Sequence, residues 1–182
     1  MWVALHHEPE GDGDIEDWRA MQERLGPILR DEADNIGFTV ILTGWNQVNR
    51  PEEFSLTRVW PDVEVDVAGF DVYQFYGAER DGIRVGELTD LDSVYFRPFS
   101  RWARRQGVAW AVAETGITDH ASQRHPQLMS RMHADLVDAG GIALTYFDSS
   151  LNSTANWTLG VGAKRAQFAA ILAGSPRLPA LG

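Results

Sequence analysis

The feature that most restricts this chain is an alternation that repeats along its whole length. Short apolar runs are separated by stretches in which apolar residues recur at helical spacing. That is the pattern of successive βα units around a parallel sheet. The runs are Trp2-Val3-Ala4-Leu5, Phe38 to Leu42, Val65 to Tyr73, Val108 to Ala113 and Ile142 to Phe147. Between them Trp18, Met21, Leu25, Ile28 and Leu29 mark one helical face, and Phe99, Trp102 and Ala103 a second. Leu128, Met132, Leu136 and Val137 mark a third, and a last helix is expected from about 163 to 173. Gly107 and Gly140-Gly141 supply stop signals.

Two architectures accommodate five strands in such a series: an open doubly wound sheet, or part of an eight-stranded barrel. No Gly-rich phosphate loop follows the first run, which counts against a nucleotide-binding sheet. Polar residues instead follow the ends of the runs: Glu8, Asn46, Tyr73, Glu114 and Asp148. In a barrel those ends form one rim, where functional groups collect. The expected fold is therefore α/β, a partial (β/α)8 TIM barrel in a single domain over residues 1–182. The stretch 175–182, with Pro176 and Pro179, is expected to fray.

Composition narrows the function classes. The net charge of -10 would repel a polyanion over most of the surface, so nucleic acid is not an expected partner. Without cysteine there is no disulfide, thiolate nucleophile or Cys-based zinc site. No apolar stretch is long enough for a membrane span, and none near Met1 reads as a signal peptide. An extracellular location is expected only if a longer parent protein carries a signal upstream. Seven Trp, eight Phe and four Tyr supply core material and flat surfaces for sugar rings.

Glycoside cleavage requires one carboxylic acid to protonate the leaving oxygen and a second carboxylate across the sugar. Glu8 and Glu114 each follow an apolar run and meet a turn-former at once, Pro9 or Gly116. Strand ends converge in a barrel, so the two would share a pocket. Residues alone leave this pairing open against two isolated surface glutamates.

His7-Glu8-Pro9, Gly69-Phe70-Asp71-Val72-Tyr73 and Ala113-Glu114-Thr115-Gly116, in that order, resemble the later half of clan A glycoside hydrolases. The match is to family twenty-six, the β-mannanase-like family, from its fourth strand onward. The resemblance implies an O-glycosyl hydrolase of retaining mechanism, acting on a mannan-like or related β-linked polysaccharide. It implies Glu8 as general acid/base and Glu114 as nucleophile, with Tyr73 on the nucleophile and His7 on the acid or a sugar hydroxyl. Asn46, Tyr146 and Asp148 are the further substrate-binding candidates, and no cofactor is called for. Thr115 stands where the family commonly has Phe. The first three βα units of the family have no counterpart here. The expected partners are thus an oligo- or polysaccharide and a missing N-terminal half or second chain. An inactive carbohydrate-binding or structural barrel remnant is the alternative.

Other residues carry plainer readings. Neighbours on a strand point to opposite faces, so His6 and His7 are poorly placed to share a metal ion. Asp71 shares the face of Tyr73 by the period-two rule and lines the rim or serves as a structural carboxylate. Trp60 and Trp157 are sugar platforms or loop anchors. Glu10, Asp12 and Asp14 read as a solvated turn. The pattern at Asn152 and Asn156 that matches a glycosylation acceptor is common by chance.

Overall fold

The computed structural model describes residues 1–80, 82–151, 153–160 and 162–176. The expected fraying of the tail beyond Pro176, and the position of Asn152, lie outside the described residues. The elements run β1 (Trp2–Ala4), α1 (Ile15–Glu32), β2 (Gly37–Thr43), α2 (Gly44–Asn49), α3 (Pro51–Phe54), α4 (Leu56–Val59) and β3 (Val67–Gln74). A small hairpin, β4 (Glu79–Arg80) and β5 (Ile83–Arg84), precedes a π-helical turn at Asp92–Phe96 and α5 (Arg97–Gln106). Then come β6 (Ala109–Ile117), α6 (Asp119–Arg124), α7 (Leu128–Asp138), β7 (Leu144–Tyr146) and α8 (Ala163–Gly174).

The main sheet has the order β1-β2-β3-β6-β7, and every pairing in it is parallel. Each strand adds to the same side of the one before, with no reversal of order. That excludes the doubly wound alternative, which needs a switch point, and gives a curled five-strand half-barrel. β1 and β7 are its edges.

Alternation sorts the side chains. Phe38, Val40, Leu42, Ala68, Phe70, Val72, Trp110 and Val112 are buried and belong to the main core cluster. There the Phe70 and Phe99 rings stack 3.8 Å apart, and Trp102 meets Phe70 edge-on at 6.0 Å. Each fully buried Val, Leu or Phe side chain among them contributes roughly 1.5–3 kcal/mol. The opposite, concave face carries small residues, with Ala4, Gly69, Ala111, Ala113 and Ala143 around a hollow of about 180 Å³. A Cβ on Gly69 would stand 2.8 Å from Ala113 Cβ and from Ile41 Cγ1.

Helix faces differ from expectation in detail. α1 buries Trp18, Gln22 and Gly26, whereas Ile28 is exposed. Gly26 allows the close approach, since a Cβ there would come within 2.8 Å of the Phe38 ring. In α7 Leu128, Met132 and Leu136 are buried as expected, but Val137 lies exposed. The stretch expected as a loop after the second strand is three short helices, α2 to α4. Trp60, which follows α4, packs edge-on against Trp102 at 4.7 Å and so anchors its loop. Gly107 ends α5 in the left-handed conformation, and Gly140 has φ 83 just past α7.

Candidate active site

Five strand ends build the site. At the first, the chain leaves β1 with His6 and Glu8 both at positive φ, 47° and 51°. An L-residue there loses roughly 1–2 kcal/mol. Pro9 also steers Glu8 away from the right-handed helical region. α1 holds this turn in place: Trp18 Nε1 donates to the His6 carbonyl at 2.7 Å, and Gln22 Nε2 to that of Leu5 at 2.6 Å. The Glu8 amide donates to Ile41 O at 3.0 Å, which extends the β1–β2 pairing to the glutamate itself. Thr43 Oγ1 then donates to Glu8 Oε1 at 3.1 Å.

Glu10 is no solvated turn residue, contrary to the sequence reading. Its carboxylate accepts from the Thr43 amide at 3.1 and 3.2 Å and from Gln47 Nε2 at 2.9 Å. Burial pushes its carboxyl above the ordinary value, partly offset by these hydrogen bonds.

Glu114 reaches the same site through a bulge. β3 and β6 pair Phe70 with Val112 and then Asp71 with Glu114, which leaves Ala113 as an extra residue. Regular alternation would put Ala111 and Ala113 on the concave face and Glu114 among the helices. The bulge resets the register, as bulges beside functional sites commonly do. Glu114 therefore turns to the concave side, where the Tyr73 hydroxyl donates to its Oε1. Thr115 now points outward and its hydroxyl donates to Val72 O at 2.6 Å. β6 thus continues past Glu114 to Ile117 rather than stopping before it.

Glu8, Tyr73, Phe75, Glu114, Phe147, Ser153, Thr154 and Trp157 line a cleft of about 210 Å³. Trp157 is buried at 2% exposure, with its ring 4.7 Å from Tyr73 and 5.3 Å from Phe75. It lies so close over Gly116 that a Cβ there would meet the indole at 2.9 Å. Beneath the cleft Asp71 is 3% exposed. Burial first, then the Glu8, Glu114 and Glu10 carboxyls, push its own carboxyl up to about 10. Burial and the Glu114 carboxylate push the Tyr73 phenol well above its ordinary value, so it remains a donor at any working pH.

The other expected site residues are placed differently. His7 is exposed and Asn46 is buried at 8% in the first turn of α2, and neither is among the cleft-lining residues. Tyr146 sits behind the wall: its hydroxyl donates to Trp157 O at 2.7 Å and accepts from the Ile117 amide at 3.3 Å. Asp148 is exposed and accepts from the Leu159 amide at 2.7 Å, closing the loop that carries Trp157. Sequence reasoning did not find Thr43, Phe75, Phe147, Ser153 and Thr154. Among the described residues no cluster of His, Asp and Glu has a metal-binding arrangement. None of the helices among them is long and apolar enough to cross a membrane.

No family model matches the chain, and no curated protein matches it. Solved structures do. The chain superposes on a modular endo-β-1,4-mannanase of glycoside hydrolase family 26 from Cellulomonas fimi, with TM-score 0.66 and 20% identity. That match covers 96% of this chain and 40% of the other. A family 26 β-mannanase from Bacteroides ovatus gives TM-score 0.60 at 16% identity, over 95% of this chain and 50% of that one. Thermotoga maritima Cel5A, solved with mannotriose, gives TM-score 0.60 at 14% identity, over 86% and 56%.

At such identities the likeness shows the fold alone, a curled parallel half-barrel that superposes on part of a complete (β/α) barrel. The structures matched include several family 26 mannanases, and the chain spans about two fifths of the first of them.

Proposed function

We propose that this chain carries the catalytic rim of a retaining family 26-type glycoside hydrolase acting on a β-linked, mannan-like polysaccharide. The observation that carries the reading is the shared cleft: Glu8 and Glu114 line it together, with the Tyr73 hydroxyl bonded to Glu114. Matched structures described as mannanases and β-1,4-galactanases support the substrate class.

In the first step the Glu114 carboxylate attacks the anomeric carbon while Glu8 gives its proton to the leaving glycosidic oxygen. A covalent glycosyl–Glu114 ester forms and the C–O bond to the leaving sugar breaks. In the second step Glu8, now a carboxylate, takes a proton from water. That water displaces Glu114 from the anomeric carbon and restores both groups. Tyr73 orients Glu114 and supports the charge that returns to it. The aromatic wall of Phe75, Phe147 and Trp157 gives the sugar an apolar surface, and exposed His7 is left to meet a hydroxyl beside Glu8. Asn46, Tyr146 and Asp148 serve through the scaffold. The two open edges, β1 and β7, are completed by three further βα units from the same or a second chain, which makes these strands four to eight of the barrel.

The test is release of reducing ends from β-1,4-mannan by the barrel-complete enzyme. Glu8→Ala and Glu114→Ala should each lower turnover by about 10²-fold or more. Binding of mannan with no hydrolysis, unchanged in Glu114→Ala, would instead support the carbohydrate-binding remnant.

A further inference from the structure

We propose that Asp71 is a neutral carboxylic acid whose hydroxyl proton bridges to the Glu8 carboxyl, making Asp71 the positioning residue for the general acid/base. Its part in turnover rests on the role given to Glu8 above; its protonation state does not.

The donors around Asp71 can be accounted for one by one. Both of its carboxyl oxygens are buried and accept no hydrogen bond from any described group. Thr43 stands directly across from it in the β2–β3 register, but its hydroxyl is given to Glu8 and its amide to Glu10. Tyr73, on the same strand face, gives its hydroxyl to Glu114. The titratable groups that act on Asp71 are Glu8 and Glu10 from the β1–α1 loop and Glu114 from β6, and Tyr73 on β3 itself feels its charge in turn. The charged groups that act most strongly on it are thus themselves carboxyls.

An ionised carboxylate stripped of water and of donors is among the least tolerable groups in a protein interior, so such a group keeps its proton. The one hydrogen-bonding neighbour left for that proton is Glu8. Two adjoining carboxyl groups form a hydrogen bond only when one of them is protonated, and the proton favours the more buried site. Asp71 is 3% exposed, whereas Glu8 opens into the cleft.

Glu8 is then gripped by two hydroxyl donors, those of Thr43 and Asp71. Both can persist whether Glu8 is the acid of the first step or the base of the second, because an acid and a carboxylate each offer an accepting oxygen. Asp71 itself passes no proton to the substrate.

The direct test is carboxyl carbon NMR of the whole chain labelled at aspartate, with the Asp71 signal assigned by its loss in Asp71→Asn. It should hold its carboxylic-acid position from about pH 5 to pH 8. Titration within about one unit of the ordinary value near 3.9 would overturn the proposal. This readout needs no activity, so its failure is separate from a failure of the glycosidase reading. In the active enzyme, Asp71→Asn retains a donor and should stay within about threefold of the parent kcat. Asp71→Ala should lose about ten- to hundredfold in kcat with KM little changed. Equal damage in both variants would show that a charged Asp71 is required, contrary to the proposal.

Discussion

At the scale of single residues, the site depends on which protons each oxygen receives. Tyr73 supplies one to Glu114, and a hydrogen bond to a charged group is worth about 1.5–3 kcal/mol. Tyr73→Phe should therefore lower kcat about ten- to hundredfold, with the fold intact by circular dichroism. The raised carboxyl of Asp71 makes a further, thermodynamic prediction. A neutral acid in the fold binds its proton more tightly than the unfolded chain does. Its stabilising effect is thus complete below about pH 4 and declines as pH rises toward its folded value of about 10. Across that window each pH unit removes up to about 1.4 kcal/mol. Asp71→Asn should be free of this slope, so its urea midpoint should gain on the parent between pH 5 and about pH 9. Glu8 and Glu114 were legible in the sequence because a charged residue that closes an apolar run stands out. The part played by Tyr146 and Asp148 was not, since a strand-end polar group looks the same whether it meets a ligand or ties a loop.

At the scale of elements, two devices aim the glutamates, and neither left a trace in the sequence. Five apolar runs and two glycine stops, Gly107 and Gly140-Gly141, located the strands and the principal helices, because period and punctuation are local. The bulge at Ala113 was invisible. It arises from how β6 pairs with β3, and nothing in Ala111-Val112-Ala113-Glu114 announces an extra residue. The clamp by α1 was equally hidden. Helical spacing favoured Met21 and Ile28 as inward residues, yet the polar Gln22 is fully buried because the Leu5 carbonyl needs a donor. Gln22→Leu should leave that carbonyl unpaired and destabilise the chain by about 1–3 kcal/mol, measured by urea denaturation. Activity should fall as well, because the released segment carries the strained turn that presents Glu8.

At the scale of the whole molecule, sequence order and spatial order coincide. Each strand joins the one before it, so successive βα units wind about one axis and bring their ends to one rim. The alternation of runs suggested that arrangement, and the polar residues after the strand ends favoured the barrel over the doubly wound sheet. Trp157 could not be assigned from its position in a loop. It belongs to the cleft because Gly116 leaves room for its indole and the Tyr146 hydroxyl holds its carbonyl.

The central claim, that Glu114 is the nucleophile of a retaining pair with Glu8, is tested most directly by covalent trapping. The barrel-complete enzyme would be treated with a 2-deoxy-2-fluoro β-mannoside bearing a good leaving group, digested and analysed by mass spectrometry. The account predicts a single glycosyl adduct on the peptide containing Glu114, formed at a much lower rate in Tyr73→Phe and absent in Glu114→Ala. Turnover of mannan with no adduct at Glu114, or with inversion at the anomeric carbon, would contradict it.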